Sequence, residues 1–434
     1  MFGYYLDLAL RSLKRNRILT TLMVAAIGLG IGASMTMLTL LHVMTADPIP
    51  DRSARLFYPQ VDARDKDGTD PEPPEQMTWR DALALVDAGK GTHQAAMTGG
   101  QVTVVPPQGA SGAYFADARY STADFFPMFE VPFAAGSGWT AEEDARSARV
   151  AVITTELATK LFGTTQALDR TLRLGKYDFR VMGVLAPWHP VPHFYDLAMG
   201  KYAEPEQVYL PLQTAIDLKL GTMGSISCWG DAGFPNDGDL RHADNCSWVQ
   251  SWVQLDTPAQ VAAYRGFLQD YSREQAKLGR YERAPNIRLR DVTAWLDYKR
   301  VVPGSVQLQA LLALGFMLVC LVNTVTLLLV KFMRRGPELS VRRAMGASRR
   351  AIFAQLLVEA SVVGVSGGAV GLALAALGLW IVRQQPAEYA ALARLDVQML
   401  LATLVASVAA TLVAALFPAW RACRIAPARL LKIQ

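Results

Sequence analysis

Residues able to do chemistry are sparse in this chain, and their spacing limits what they can do. His189 and His193 lie four apart with Asp196 behind them, the spacing of a helical metal pair. Pro190 and Pro192 break the helix that would bring both rings to one face, so the segment reads as a solvated Pro-rich loop before it reads as a metal site. A phosphate-binding loop needs G-x-x-x-x-G-K-[ST]. Lys90 follows Gly89 and Lys176 follows Gly175, yet Ala84 and Arg170 stand where the first glycine belongs. The G-x-S-x-G pattern of a nucleophile elbow occurs once, at Gly364 to Gly368, but inside an apolar span and not at the strand-to-helix turn that such an elbow needs. The expectation is a chain that is not an enzyme by itself: no catalytic, cofactor-binding or metal residue is assigned, and the 434 residues do not hydrolyse ATP alone.

The elements that would position any site are mostly apolar. Hydrophobic residues make up 51% of the chain and charged residues 19%, against about 25% charged in a soluble domain. Ile18 to Met44, Val306 to Val330, Ile352 to Val382 and Val397 to Trp420 each exceed the roughly 18 to 20 apolar residues that cross a hydrocarbon core. The first could be a secretory signal, but its apolar run is far longer than a signal needs and only Ala46 offers a weak cleavage site, which favours an uncleaved anchor. Fifteen bases collect at three ends: Arg11, Lys14, Arg15 and Arg17; Lys331, Arg334, Arg335, Arg342, Arg343, Arg349 and Arg350; and Arg421, Arg424, Arg429 and Lys432. By the positive-inside rule these ends, and both termini, are cytoplasmic. The stretch from Thr45 to Gly304 then lies outside with 26 bases and 33 acids, so the basic balance belongs to the membrane rim and not to a nucleic-acid groove.

The expected fold class is a membrane protein of four transmembrane α-helices, one plus three, with a large α+β domain inserted between the first and second. The plan is a cytoplasmic amphipathic segment 1–17, a span 18–44, the outer domain 45–304, a span 305–332, a cytoplasmic loop 333–351, a span 352–382, a short outer loop 383–396, a span 397–420 and a cytoplasmic tail 421–434. In the outer domain, Gln101 to Val105 and Arg149 to Thr154 read as strands, and Thr171 to Leu174 with Tyr177 to Leu185 as a hairpin turned at Gly175 and Lys176. Glu156 to Phe162 has helical spacing, and Pro258 to Leu278 forms a longer helix with Val261, Phe267, Leu268, Tyr271 and Leu278 on its apolar side. Residues 62–75, rich in acids and carrying Pro71, Pro73 and Pro74, read as a mobile loop. Cys228 and Cys246 flank a loop with Trp229, Gly230, Pro235, Asn236, Asp237 and Gly238. Outside the cytoplasm such a pair reads as a disulfide, with two free thiols as the alternative and metal binding less favoured because only His242 is near.

The cytoplasmic loop is short and patterned. Pro337 suits a first helical position with Glu338 beside it at the positive end of the dipole. Val341, Ala344 and Met345 share a face, Gly346 can end the helix, and Ser348 can cap the next. The result is a short helix across the cytoplasmic surface, pinned by Arg342 and Arg343: either an interfacial helix on anionic lipid or a coupling helix for a cytoplasmic ATPase. Glu359 lies roughly 11 Å along the third span from Ile352, where an acid is costly unless paired with an arginine such as Arg349, Arg350 or one from another helix, or unless it reaches headgroup water. Asn323, Thr324 and Thr326 form the polar cluster of the second span and read as inter-helix hydrogen bonds. Gly28 with Gly32, Gly364 with Gly368, and Gly367 with Gly371 have G-x-x-x-G spacing, which serves packing within the chain as readily as dimerisation.

The stretch ELSVRRAMGASRRAIFAQLLVEA, Glu338 to Ala360, resembles the signature of the MacB/FtsX superfamily of ABC-transporter permeases. YSTADFFPMF (Tyr120 to Phe129), VAVITTELATKLFG (Val150 to Gly163), TLRLGKYDFRVMGVL (Thr171 to Leu185) and VYLPL (Val208 to Leu212) are similar to the periplasmic core of MacB-type permeases. The resemblance implies a bacterial inner-membrane permease subunit with a periplasmic domain. It implies mechanotransmission: a separate cytoplasmic ATPase dimer, holding ATP and Mg, moves the spans through Glu338, Val341, Arg342, Arg343, Met345, Gly346 and Glu359 and drives efflux or extraction of a substrate. The implied partners are that ATPase, a second permease chain, identical or related, membrane lipid and, in efflux systems, a periplasmic adaptor with an outer-membrane channel. The alternative is an FtsX-like signalling permease that regulates an envelope hydrolase. The Cys228 to Cys246 insertion departs from the family pattern.

Overall fold

The computed structural model describes residues 2–107, 112–230, 234–235, 238–384 and 397–424, which fall into two compact units, residues 46–301 and residues 1–45 with 302–434. The short outer loop 385–396, the tail bases Arg429 and Lys432, and Asn236 and Asp237 lie outside the described residues.

The 46–301 unit is built on one large mixed sheet. Its strands are β1 (Leu56–Val61), β2 (Gln94–Val105), β3 (Tyr114–Ser121), β4 (Phe133–Gly136), β5 (Val150–Thr154), β6 (Thr171–Leu174), β7 (Tyr177–Leu185), β8 (Val208–Pro211), β9 (Gly221–Met223), β12 (Gln250–Gln254) and β13 (Ile287–Asp291), while β10 (Ser227–Cys228) and β11 (Cys246–Ser247) form a separate pair. The order is β13-β1-β12-β2-β3-β8-β5-β7-β4, with β6 bridging β2 and β7 and β9 added to β2. Two pairings are parallel, β3 with β8 and β5 with β7; the others are antiparallel. Side chains alternate between faces along a strand, so each central strand feeds two cores. In β5, Val150 and Val152 enter one core and Ala151 and Ile153 the other; in β8, Tyr209 faces away from Val208 and Leu210. A sheet buried on both faces explains why its strands read as apolar runs.

The helices start where capping chemistry allows. α3 (Trp79–Asp87), α4 (Phe125–Met128), α5 (Ala141–Ala145), α6 (Thr155–Phe162), α7 (Leu212–Asp217), α8 (Pro258–Lys277) and α9 (Val292–Tyr298) complete the unit. Thr257 and Gln260 form a capping box on α8, with Pro258 in the first turn. The buried side of α8 is Tyr264, Leu268, Ser272 and Gln275; Leu278, expected on that side, is the C-cap and is exposed.

Residues 62–75 are held, which corrects the expectation of a mobile loop. Asp62 accepts from Arg64 at 2.9 Å, from Arg283 at 2.9 Å and from Asn286 at 3.2 Å, and Glu72 accepts from Arg288 at 2.8 Å and Arg290 at 2.5 Å. Apart from Arg64, the partners lie more than 200 residues away, so no local pattern announces them. Burial alone would raise the Asp62 carboxyl, but Arg64 and Asn286 outweigh it and hold it below its ordinary value; hydrogen bonds from Arg288 and Arg290 lower Glu72.

A second ion cluster sits in the sheet itself. Arg119 is fully buried, donates to Asp196 at 2.6 Å and contacts Glu206 through its other terminal nitrogen. Tyr195 donates to the same glutamate at 2.8 Å, and Gln250 to Asp196 at 3.0 Å. His193 and Asp196, read as part of a metal-spaced trio, are here: His193 is buried 3.7 Å from Glu206, whereas His189 is half-exposed beside Glu204. Burial would raise Glu206, but Arg119 and His193 outweigh it and hold the carboxyl far below the ordinary range. Cys228 and Cys246 are joined across β10 and β11, with Cα atoms 4.1 Å apart.

The other unit consists of α1 (Phe2–Arg15), α2 (Arg17–Met44), α10 (Gly304–Arg334), α11 (Gly336–Ala344), α12 (Arg349–Arg383) and α13 (Val397–Cys423). Four of these, α2, α10, α12 and α13, are long and apolar enough to cross a membrane. α2 packs on α10 and α12, and α13 on the same two. The glycine stripes make the close approaches. A Cβ on Gly28 would come within 2.7 Å of Val370, and one on Gly32 within 2.8 Å of Leu374, both on α12. Gly367 and Gly371 face back to Ile27 and Ile31, while Gly364 and Gly368 lie against Thr411 and Ser407 of α13. Both readings of these stripes were open from the sequence; here all six glycines serve packing inside the chain. The cluster at Asn323, Thr324 and Thr326 differs from expectation. Thr324 and Thr326 bond to carbonyls of their own helix, and Asn323 faces outward from the bundle.

Candidate functional site

The site forms where α10, α11 and α12 meet at their basic ends. Pro337 opens the first turn of α11, Glu338 sits in it, and Arg342 and Arg343 occupy its last turn, so charges match the helix dipole at both ends. Gly346, at φ +99, breaks the chain direction after α11, and Ser348 caps α12 by accepting from the Ala351 amide at 3.2 Å.

The two faces of α11 differ. Leu339 and Ser340 are buried, whereas Val341 is 57% and Met345 76% exposed, with Ala344 exposed beside them. An apolar strip that leaves its own bundle uncovered needs a partner surface or lipid. The arginines, expected to pin the helix outward, turn inward instead. Arg342 donates to Gln355 of α12 at 3.1 Å and lies 3.3 Å from Glu338; Arg343 reaches the Cys423 carbonyl at 3.5 Å. Neighbouring helices take the hydrogen-bonding capacity that lipid headgroups would otherwise satisfy.

Behind α11 lies a buried charge cluster. Glu359 is 1% exposed and receives Lys331 at 2.6 Å, Arg335 at 2.7 Å and the Ser12 hydroxyl at 2.5 Å. Arg335 also donates to Ser12 at 2.9 Å and approaches Glu338 at 3.5 Å. One carboxylate thus ties α1, α10 and α12 together, and Arg335 extends the tie to α11. Glu359 is therefore a paired acid and not one that reaches headgroup water; of the expected partners it is the arginine from another helix, Arg335, that pairs with it and not Arg349 or Arg350, and Lys331 joins as a second cation. Arg335 lies four residues after Lys331, and Glu359 four after Gln355; each pair shares a helix face. Sequence reasoning missed Lys331 and Ser12. The signal for Lys331 was present, because Thr324, Leu328 and Lys331 continue the buried stripe of α10 at helical spacing. Nothing in the sequence marks Ser12.

Two family models divide the chain between them. The MacB-like periplasmic core domain matches residues 20–270 and the FtsX-like permease C-terminal matches residues 310–427, which contain α11 and the Glu359 cluster. The chain belongs to the MacB/FtsX family of ABC-transporter permeases. Among curated relatives, the macrolide export ATP-binding/permease protein MacB of Azoarcus sp. is 23% identical over 84% of this chain and 50% of its own length. The pyoverdine export ATP-binding/permease protein PvdT of Pseudomonas entomophila is 24% identical over 86% and 51%. MacB of Bdellovibrio bacteriovorus is 24% identical over 55% of this chain and 32% of its own. The permease therefore spans a third to a half of the length of these relatives. The crystal structure of the periplasmic region of MacB from Actinobacillus actinomycetemcomitans is 12% identical with a TM-score of 0.38, covering 59% of this chain and 97% of that one. The permease is thus an inner-membrane protein whose periplasmic core domain is inserted between its first and second spans.

Proposed function

We propose that the permease is a mechanotransmission subunit: α11 seats in a groove of a cytoplasmic ATPase dimer, and ATP-driven closure of that dimer moves the spans and, through them, the periplasmic core. The observation that carries this reading is the pairing of an uncovered apolar strip, Val341 with Met345, with a buried brace behind it at Glu359, Lys331 and Arg335. A push on α11 is passed on by Arg342 to Gln355 of α12 and by Glu338 through Arg335 to Glu359, which also holds Lys331 of α10 and Ser12 of α1, so it moves the bundle and does not merely bend the loop. ATP and Mg bind in the ATPase, a polypeptide separate from these 434 residues. Both termini face the cytoplasm, following the fifteen bases at the membrane rim.

The output we infer is efflux or extraction of a substrate across the envelope. Relatives that span most of this chain are named for macrolide and pyoverdine export, which supports transport over regulation of an envelope hydrolase. Two permease chains work on one ATPase dimer, because one α11 engages one half of a two-fold partner. A periplasmic adaptor and outer-membrane channel complete the path in the efflux form. The test is Val341→Asp with Met345→Asp in the intact chain, which places two charges on the strip that would enter the groove. Stimulation of the ATPase and transport should both fall while the protein remains in the membrane; unchanged stimulation would make α11 a surface helix only.

A further inference from the structure

A cavity of about 400 Å³ lies in the periplasmic core between α3, α5 and the start of α7. Trp79, Leu83, Val86 and Asp87 reach it from one face of α3, at i, i+4, i+7 and i+8, and Asp144 and Ala145 reach it from α5. The Trp79 ring is stacked on Trp248 at 5.6 Å, which makes it a fixed wall. Asp87 and Ala145, both exposed, stand at the mouth. Three carboxyls line this cavity, those of Asp87, Asp124 and Asp144, and no Lys, Arg or His does. Asp124 is engaged: it accepts from the Gln94 amide at 2.9 Å and lies 3.4 Å from His93. Asp144 is half satisfied. One of its oxygens accepts from the Ala123 amide at 3.2 Å; the other is buried and has no hydrogen-bond partner among the described residues. Burial raises this carboxyl to about 7, so above that pH the fold carries a buried charge with no cation beside it. Such an oxygen is costly until a donor meets it, and that donor has to come from outside the chain.

We propose that this cavity binds a small organic ammonium ion, whose N–H donates to the unpartnered oxygen of Asp144 while its hydrocarbon body lies against Trp79, Leu83 and Val86. The charge pattern selects a cation, because an anion would meet three carboxyls and no base. The arrangement selects an organic one. Among the described residues no three His, Cys, Asp or Glu side chains gather as metal ligands, so the acids border an apolar space and do not converge on a point. Size narrows the class further: the volume is that of roughly a dozen waters at about 30 Å³ each, which admits one ring or a short chain and excludes a large macrocycle. The site lies wholly in the periplasmic core and needs neither the ATPase nor a second chain, so it is independent of the function proposed above.

The test is equilibrium dialysis of the intact chain in phosphatidylcholine nanodiscs at pH 8, where Asp144 is ionised, with empty nanodiscs giving the lipid background. The probe is 2-phenylethylamine, and 2-phenylethanol and phenylacetate are its neutral and anionic counterparts. Saturable binding of one amine per chain is expected, with the alcohol roughly tenfold weaker and phenylacetate not bound. Asp144→Asn keeps an oxygen for the Ala123 amide and removes the charge, so it should bring the amine down to the affinity of the alcohol and leave the alcohol unchanged. Ala145→Phe, at the exposed mouth, should weaken amine and alcohol together. Amine affinity that is unchanged in Asp144→Asn would place the cation elsewhere and overturn the assignment. Equal affinity for amine and alcohol in the unaltered chain, tighter binding of phenylacetate, or no saturable binding of the amine would each overturn it as well.

Discussion

At Glu359 one carboxylate serves two cations, and the arithmetic of burial makes it sensitive. Lys331 and Glu359 are almost wholly buried and Arg335 nearly so. Removing one member of such a cluster leaves the others desolvated without compensation, which costs roughly 3 to 5 kcal/mol, whereas replacing a whole pair by apolar groups of similar size is often neutral. Glu359→Gln should therefore lower thermal stability in nanodiscs and weaken ATPase stimulation together. Adding Lys331→Met should restore much of the stability, because only Arg335 then needs a partner and the carboxamide introduced by Glu359→Gln can still accept from it. Stability that falls additively in the double variant would show that the two residues do not share one interaction. The same logic holds for Arg119 in the periplasmic core, where Asp196 and Glu206 both depend on one guanidinium.

Helices in this chain are legible in the sequence to the extent that local rules define them. Hydrophobic length gives the four spans to within a few residues, and Pro337, Gly346 and Ser348 bound the short helix between the second and third because capping is a local matter. Partners are not local. The acids of residues 62–75 and the arginines of β13 are separated by most of the periplasmic core, so an ordered clamp reads as a loose loop. The glycine stripes show the same limit, since G-x-x-x-G spacing states that something comes close and says nothing of what. Their present neighbours give a contrast that can be measured. Gly371→Leu would drive a side chain into Ile31 and the Gly28 carbonyl, 3.0 and 3.3 Å from its Cβ, and should unfold or misassemble the single-chain bundle. Gly315→Ala meets open space and should leave the Tm of the isolated chain unchanged, so equal damage from both would contradict the packing described.

Charge is partitioned along the chain, with bases at the ends of the spans and an acid excess in the periplasmic core, so that domain should respond to pH in two directions. Asp62, Glu72 and Glu206 are held below their ordinary pKa when folded. A lowered folded-state value means that their contribution is fully present above the ordinary carboxylate range near pH 4 and is lost as pH falls through the folded values. Asp144 runs the other way. Burial raises it to about 7, against which the hydrogen bond from the Ala123 amide is insufficient, so the folded state binds a proton that the unfolded chain has released. Its contribution is present below pH 4 and declines as pH rises through 7. The periplasmic core should accordingly be most stable where these two windows meet, near pH 4 to 5, with an acid arm set by the clustered pairs and an alkaline arm set in part by Asp144. Asp144→Asn keeps an oxygen for the Ala123 amide and removes the charge. It should raise the Tm at pH 8 by roughly 2 to 4 °C for each kcal/mol regained, and shift the Tm at pH 4, where the unfolded chain has hardly begun to release the proton, far less. Tryptophan fluorescence melts of the intact chain from pH 3 to 9 would show this, and an equal shift at both pH values would mean that the carboxyl is not carrying the alkaline arm.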